Sequence, residues 1–156
     1  MNVDYITTIN YLPGVRVTPL RRIFNQQGDV FHGIKASEPD FCGFGEAYFS
    51  TVYSGVIKGW KKHCRMTLNL VVPVGTIRFV VIDDRTDSVR GAEITLGDPY
   101  YARLTMPPGL WLGFQGMGQA LNMLLNIADL EHDPAEAISL PLDRIPYPWL
   151  DTDGDR

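Results

Sequence analysis

The chain has 156 residues, 45% of them hydrophobic and 11% aromatic, with 15 glycines and 11 prolines. Such a chain suits one compact domain with an ordinary core and excludes intrinsic disorder as its main state. Fourteen Lys and Arg against 18 Asp and Glu leave a net charge of −4, which argues against a general nucleic-acid binder.

No stretch approaches the roughly 20 apolar residues of a membrane helix. The start, Met1 to Tyr5, lacks the basic and apolar blocks of a signal peptide, so a cytoplasmic protein with no membrane partner is expected. Cys42 and Cys64 are expected to be free thiols. There is no CxxC, no HExxH and no GxGxxG of the spacing a dinucleotide loop needs.

In chain order, short β-type runs are cut by glycine and proline. Val15 to Phe24 follows the turn signal Pro13-Gly14, and Gly28 to Ile34 comes next. Ala47 to Ile57 is rich in Tyr, Phe, Val and Thr, which suit a half-buried pleated surface. Met66 to Val72 ends at the turn Pro73-Val74-Gly75. Thr76 to Ile82 carries apolar residues on both alternating faces, so it is expected to be buried on both sides. Gly91 to Leu96, Tyr101 to Met106 and Leu110 to Phe114 follow. Gln119 to Leu130 reads as a helix by composition alone. Strands recurring every roughly 8–12 residues with turns between them predict an all-β sandwich or barrel, one domain over 1–156, with few short helices.

The densest chemical candidate is Lys58 to Arg65, with four cations in eight positions of an acidic protein. Such a cluster neutralises a phosphate or diphosphate, and Trp60 offers a stacking surface. The alternative is a solvated loop that keeps the protein soluble. His32, His63 and His132 lie far apart and form no local metal set. His63 and Cys64 are adjacent, so on a strand they face opposite ways and do not make a Cys–His pair. Glu46 suits either a ligand hydroxyl or a lysine partner. Asp151 to Asp155 opens like a calcium loop but lacks the closing Glu, so it reads as a solvated tail.

Taken in order, several segments resemble the nucleotide-sugar 3,5-epimerase family of cupins. They are Leu12 to Val15, Asn25 to Phe31, Ser54 to Trp60 (SGVIKGW), Val71 to Arg85 (VVPVGTIRFVVIDDR), Leu104 to Phe114 (LTMPPGLWLGF), Ala128 to Glu136 and Arg144 to Trp149. The resemblance covers most of the chain. It implies a cupin jelly-roll barrel, a homodimer, no metal and no organic cofactor. It also implies a nucleoside-diphosphate 4-keto-6-deoxy sugar as substrate, in polysaccharide or glycoside biosynthesis, and a strand rather than a helix over Gln119 to Ala128.

Three positions depart from the family. Lys61 stands at its catalytic His, Leu125 at its proton-donor Tyr, and Leu112 at the His of its Pro-Pro-Gly segment, a metal ligand in other cupins. The carboxylate that orients the family's catalytic His has no clear counterpart in the sequence.

Epimerisation beside a ketone needs a base, enolate stabilisation and a proton source. The expected catalytic set is Lys61 as base, His63 as second candidate two residues along the same strand face, and Tyr48 or Tyr53 as proton donor. Lys58, Glu46, Arg65, Trp111 and Glu136 are expected to bind substrate, Lys58 at the diphosphate. The resulting expectation is an epimerase or isomerase with an altered catalytic set. The alternative is a nucleotide-sugar-binding cupin that has lost the chemistry.

Overall fold

The runs of Val, Ile, Leu, Phe and Thr fold as strands, and the glycines and prolines between them make the turns. The computed structural model describes residues 4–5 and 12–149; the tail 151–155 lies outside them. The strands are β1 (Asp4–Tyr5), β2 (Arg16–Pro19), β3 (Arg22–Ile23), β4 (Val30–Phe31), β5 (Glu46–Val52), β6 (Ile57–His63) and β7 (Leu68–Val74). They continue as β8 (Thr76–Asp83), β9 (Arg90–Gly97), β10 (Ala102–Met106), β11 (Trp111–Gly116), β12 (Asn122–Ala128) and β13 (Ala137–Ser139). The only helical elements among the described residues are two short 3-10 turns, Pro134–Glu136 and Leu142–Arg144.

Two sheets face one another. One runs β1-β9-β8-β11-β6-β13 and the other β2-β10-β7-β12-β5; β3 and β4 form a separate hairpin. Among the described residues the named strands pair antiparallel except β1 with β9. This is the expected all-β jelly roll. Between the sheets lies the main core, including Ile77, Phe79 and Val81 from β8, Leu68 and Leu70 from β7, Leu104 and Met106 from β10, and Leu124 from β12.

A second, smaller core sits behind the six-stranded sheet. There Val80 and Ile82 pack with Trp60, Trp111, Ile145 and Tyr147. The segment after β13 covers that face, so β8 is buried on both sides as its composition predicts.

Several sequence-based boundaries shift: Val15 to Phe24 divides into β2 and β3, which lie in different sheets, and β7 runs on through Pro73 and Val74 to turn at Gly75. Ala47 to Ile57 is not one strand: the chain turns near Gly55 (φ 75°), ending β5 and beginning β6. The basic stretch after it is strand, not loop. Gln119 to Ala128 folds as the strand β12 from Asn122, because its Leu124, Asn126 and Ala128 bury one face while pairing with β5 and β7 on either side. Tertiary pairing overrides the helical preference of Ala, Leu and Met.

Candidate active site

A regular strand would turn Lys58 and Lys61, three residues apart, to opposite faces. The pairing of β6 with β11 prevents this. Lys61 stands opposite Leu112 and Lys58 opposite Phe114, so β6 carries one extra residue over that interval. The irregularity falls at Gly59-Trp60, where a β-bulge re-aims the side chains. Gly113 makes room for it: a Cβ there would lie 2.9 Å from the Trp60 ring. Lys58, Lys61 and His63 therefore all line the space between the sheets, while Trp60 turns away into the second core.

That space is a cavity of about 240 Å³. The six-stranded sheet contributes Lys58, Gly59, Lys61, His63, Leu112 and Phe114. The facing sheet contributes Tyr48, Ser50, Leu68, Leu70, Leu124 and Asn126. Its floor is apolar and its polar groups are few, the usual character of a small-molecule site.

His63 is buried, and its Nδ1 lies 2.6 Å from Oε2 of Glu136. Local structure sets this up. The Asp133 carboxylate accepts the Ala135 amide and caps a 3-10 turn that begins with Pro134. The turn delivers Glu136, and β13 then pairs with β6 so that Ala137 stands opposite His63. The other oxygen of Glu136 accepts the amides of Arg65 and Met66, each at 2.8 Å. Burial works against the charge, but the His63 hydrogen bond and the two amides outweigh it and hold the Glu136 carboxyl down at about 2. The carboxylate is thus ionised at neutral pH and accepts from a proton-bearing Nδ1, which leaves Nε2 as the ring nitrogen outside this bond.

Across the cavity, Tyr48 on β5 stands in register opposite Asn126 on β12, and the Asn126 Nδ2 donates to the Tyr48 hydroxyl at 3.1 Å. Lys58 is exposed, and its ammonium donates to the Thr51 carbonyl at 2.6 Å and to Ser50 Oγ at 3.4 Å. Lys61 is exposed beside it.

Of the residues expected from the sequence, Lys58, Lys61, His63 and Tyr48 meet at this cavity. The others do not. Trp111 turns to the opposite face of its sheet, where its indole N–H donates to Asp84 and its ring lies under the Lys62 ammonium. Arg65 is exposed and pairs with Asp133. Glu46 shares the face of Tyr48 and Ser50 by strand alternation but lies outside the cavity lining. Glu136 is buried behind His63 with both oxygens engaged, so it is a partner of the imidazole and not a substrate contact. Tyr53 is exposed and outside the lining, and Leu125 stands on the outer face of β12.

Sequence reasoning missed Asn126 and the His63–Glu136 pairing. The first was legible once β12 was taken as a strand, since Leu124 and Asn126 alternate onto one face. The second had a local signal in Asp133-Pro134-Ala135-Glu136, a capped turn, but nothing local says where that turn docks. Among the described residues no group of three or more His, Cys, Asp or Glu side chains is placed to share a metal ion, and no helix is long and apolar enough to cross a membrane.

No model of a known protein family matches the sequence. The crystal structure of a dTDP sugar isomerase from Desulfovibrio desulfuricans G20 is 37% identical, superimposes with a TM-score of 0.84, and the match covers 88% of this chain and 91% of that one. A probable low-salt glycan biosynthesis epimerase of Haloferax volcanii is 32% identical over 109 residues, which span 65% of each protein. The spore coat polysaccharide biosynthesis protein SpsL of Bacillus subtilis is 24% identical over 143 residues, 90% of this chain and 91% of that protein.

Proposed function

The chain belongs to the nucleotide-sugar 3,5-epimerase and isomerase family of cupins, and from that premise we propose that it moves a proton at a carbon beside the ketone of a nucleoside-diphosphate 4-keto-6-deoxy sugar, in the cytosol, for glycan assembly. The observation that carries this reading is the buried His63–Glu136 pair opening on a cavity whose same wall holds two exposed lysines.

His63 is the base. Glu136 holds its Nδ1–H, so Nε2 takes the proton from the carbon next to the ketone; the C–H electron pair becomes the new C=C bond and the carbonyl π pair moves to oxygen as the enolate. Lys61, exposed on the same wall, serves charge: its ammonium meets the phosphates. Lys58 keeps one N–H beyond its two protein partners for a phosphate oxygen. Tyr48 stands on the opposite sheet and lines the far wall of the cavity, facing a sugar held between the two. The cavity is smaller than the roughly 300–1,000 Å³ of pockets that enclose whole drug-sized ligands, so the reacting sugar enters it and the nucleotide lies along the exposed rim.

Two copies pairing through the outer side of the five-stranded sheet is the assembly this reading favours. Phe49 points outward there at 64% exposure on β5, the edge strand of that sheet, where a second copy would cover it. Sedimentation of the purified chain tests it.

The catalytic reading is tested by incubating the protein with nucleotide-linked 4-keto-6-deoxy sugars in deuterated water and following the ring protons by NMR. Exchange beside the ketone, abolished in His63→Asn, is expected. Binding without exchange would leave a carrier of nucleotide sugars and overturn the enzyme.

A further inference from the structure

Asn126 is 1% exposed on an otherwise apolar strand face, between Leu124 and Ala128, yet its side chain borders the cavity. Its Nδ2 donates to the Tyr48 hydroxyl oxygen, and its Oδ1 is buried with no partner among the described residues. A buried amide with a spare acceptor is a costly thing to keep in a wall of leucines. It also has a consequence for Tyr48. Because the phenolic oxygen is the acceptor of that bond, its own proton is not used there and remains free to donate into the cavity.

We infer that Asn126 and Tyr48 together read an α-hydroxy ketone: Tyr48 donates to the carbonyl oxygen that becomes the enolate, and Asn126 Oδ1 accepts from the hydroxyl on the neighbouring carbon. The inference rests on the function proposed above and narrows it. In a 4-keto-6-deoxy sugar only one neighbour of the ketone bears a hydroxyl, C3; C5 bears the methyl group and the ring oxygen. The proton that His63 removes is therefore the one on C3. Its C–H pair forms the C3=C4 bond, the C4 carbonyl pair moves to O4 under the Tyr48 proton, and the O3 hydroxyl stays bound to Asn126. Asn126 is thus a specificity and positioning residue, holding the tyrosine in direction and the sugar in register.

The test uses the full chain with a nucleotide-linked 4-keto-6-deoxyhexose and its 3-deoxy analogue in deuterated water, resolving exchange at C3 from exchange at C5. Wild type is expected to exchange C3 and not C5, and to exchange C3 of the 3-deoxy analogue at least about tenfold more slowly. Asn126→Leu, which matches the surrounding wall in volume, is expected to slow C3 exchange of the hydroxylated sugar by roughly 10–100-fold. It should slow the 3-deoxy analogue by a clearly smaller factor, through the lost Tyr48 contact alone, and leave the urea midpoint equal to or above that of wild type. A purely structural asparagine would instead lower the midpoint and slow both sugars alike. Exchange confined to C5, or an Asn126→Leu effect equal on both sugars, overturns this inference alone; exchange at neither carbon overturns the enzymatic reading on which it stands.

Discussion

His63 and Glu136 are 73 residues apart in sequence, and their side chains meet at 2.6 Å inside the protein. The carboxylate fixes which ring nitrogen carries the proton, and the two backbone amides on its other oxygen fix the carboxylate. Glu136→Gln keeps the shape and removes the charge. It allows the ring to turn its lone pair toward the side-chain amide, so we expect the exchange rate to fall by roughly 10²–10⁴-fold, as in other His–carboxylate systems, with little change in nucleotide-sugar affinity. Single-turnover exchange and equilibrium binding of the variant check both halves.

The same residue predicts an acid limit to stability. The Glu136 carboxyl sits at about 2 in the folded chain against an ordinary value of 4.5. A depressed value means that the unfolded chain binds the proton more readily, so the contribution is complete above about pH 4.5 and drains away as pH falls toward about 2. Its size is on the order of 3 kcal/mol. Urea unfolding from pH 7 down to pH 2.5 should show this loss, and Glu136→Gln should be less stable at pH 7 while losing less on acidification.

The cations of β6 divide by face. Lys58→Met and Lys61→Met are expected to raise KM several-fold, with an effect that shrinks as salt rises, because both line the cavity and exposed charges are screened. Lys62→Met is expected to leave KM unchanged: its ammonium lies 2.5 Å from Asp84 and over the Trp111 ring, on the other side of the sheet. Steady-state kinetics of the three variants at low and high salt distinguish them. If Lys61→Met abolished exchange at saturating substrate, Lys61 and not His63 would be the base.

Arg103 predicts a structural penalty remote from the chemistry. Its side chain is fully buried, 2.8 Å from Glu38, 3.4 Å from Asp40, and donates to the Gly33 carbonyl, fastening the 33–40 segment over the outer side of β10. Arg103→Met leaves the buried Asp40 carboxylate with the exposed Arg16 as its remaining charge partner, and removing one member of such a group costs about 3–5 kcal/mol. Chemical denaturation should show that loss, together with faster amide exchange in residues 33–40 than in β12.

Much of the fold was legible in the sequence because strand alternation and turn chemistry are local. Thr76 to Ile82 announces a strand buried on both sides, and the Gly75 of Pro73-Val74-Gly75 announces its turn. The helix that composition suggests at Gln119 to Leu130 shows the limit: Ala, Leu and Met prefer helix only when nothing pairs with them, and β5 and β7 both do. The site was legible in part. Lys61 and His63 share a face by simple alternation, but Lys58 joins them only through a bulge, which depends on the β11 partner and leaves no local mark.

The sequence by itself determined an all-β chain, its turns, and a positively charged strand in an acidic protein, since each of these follows from residue type and short-range spacing. Only the tertiary structure decided which charges face inward, that Trp111 turns away, that Glu136 sits under His63, and that Asn126 opposes Tyr48. Those facts arise from register between strands distant along the chain, where the slip of a single residue turns every side chain to the other face.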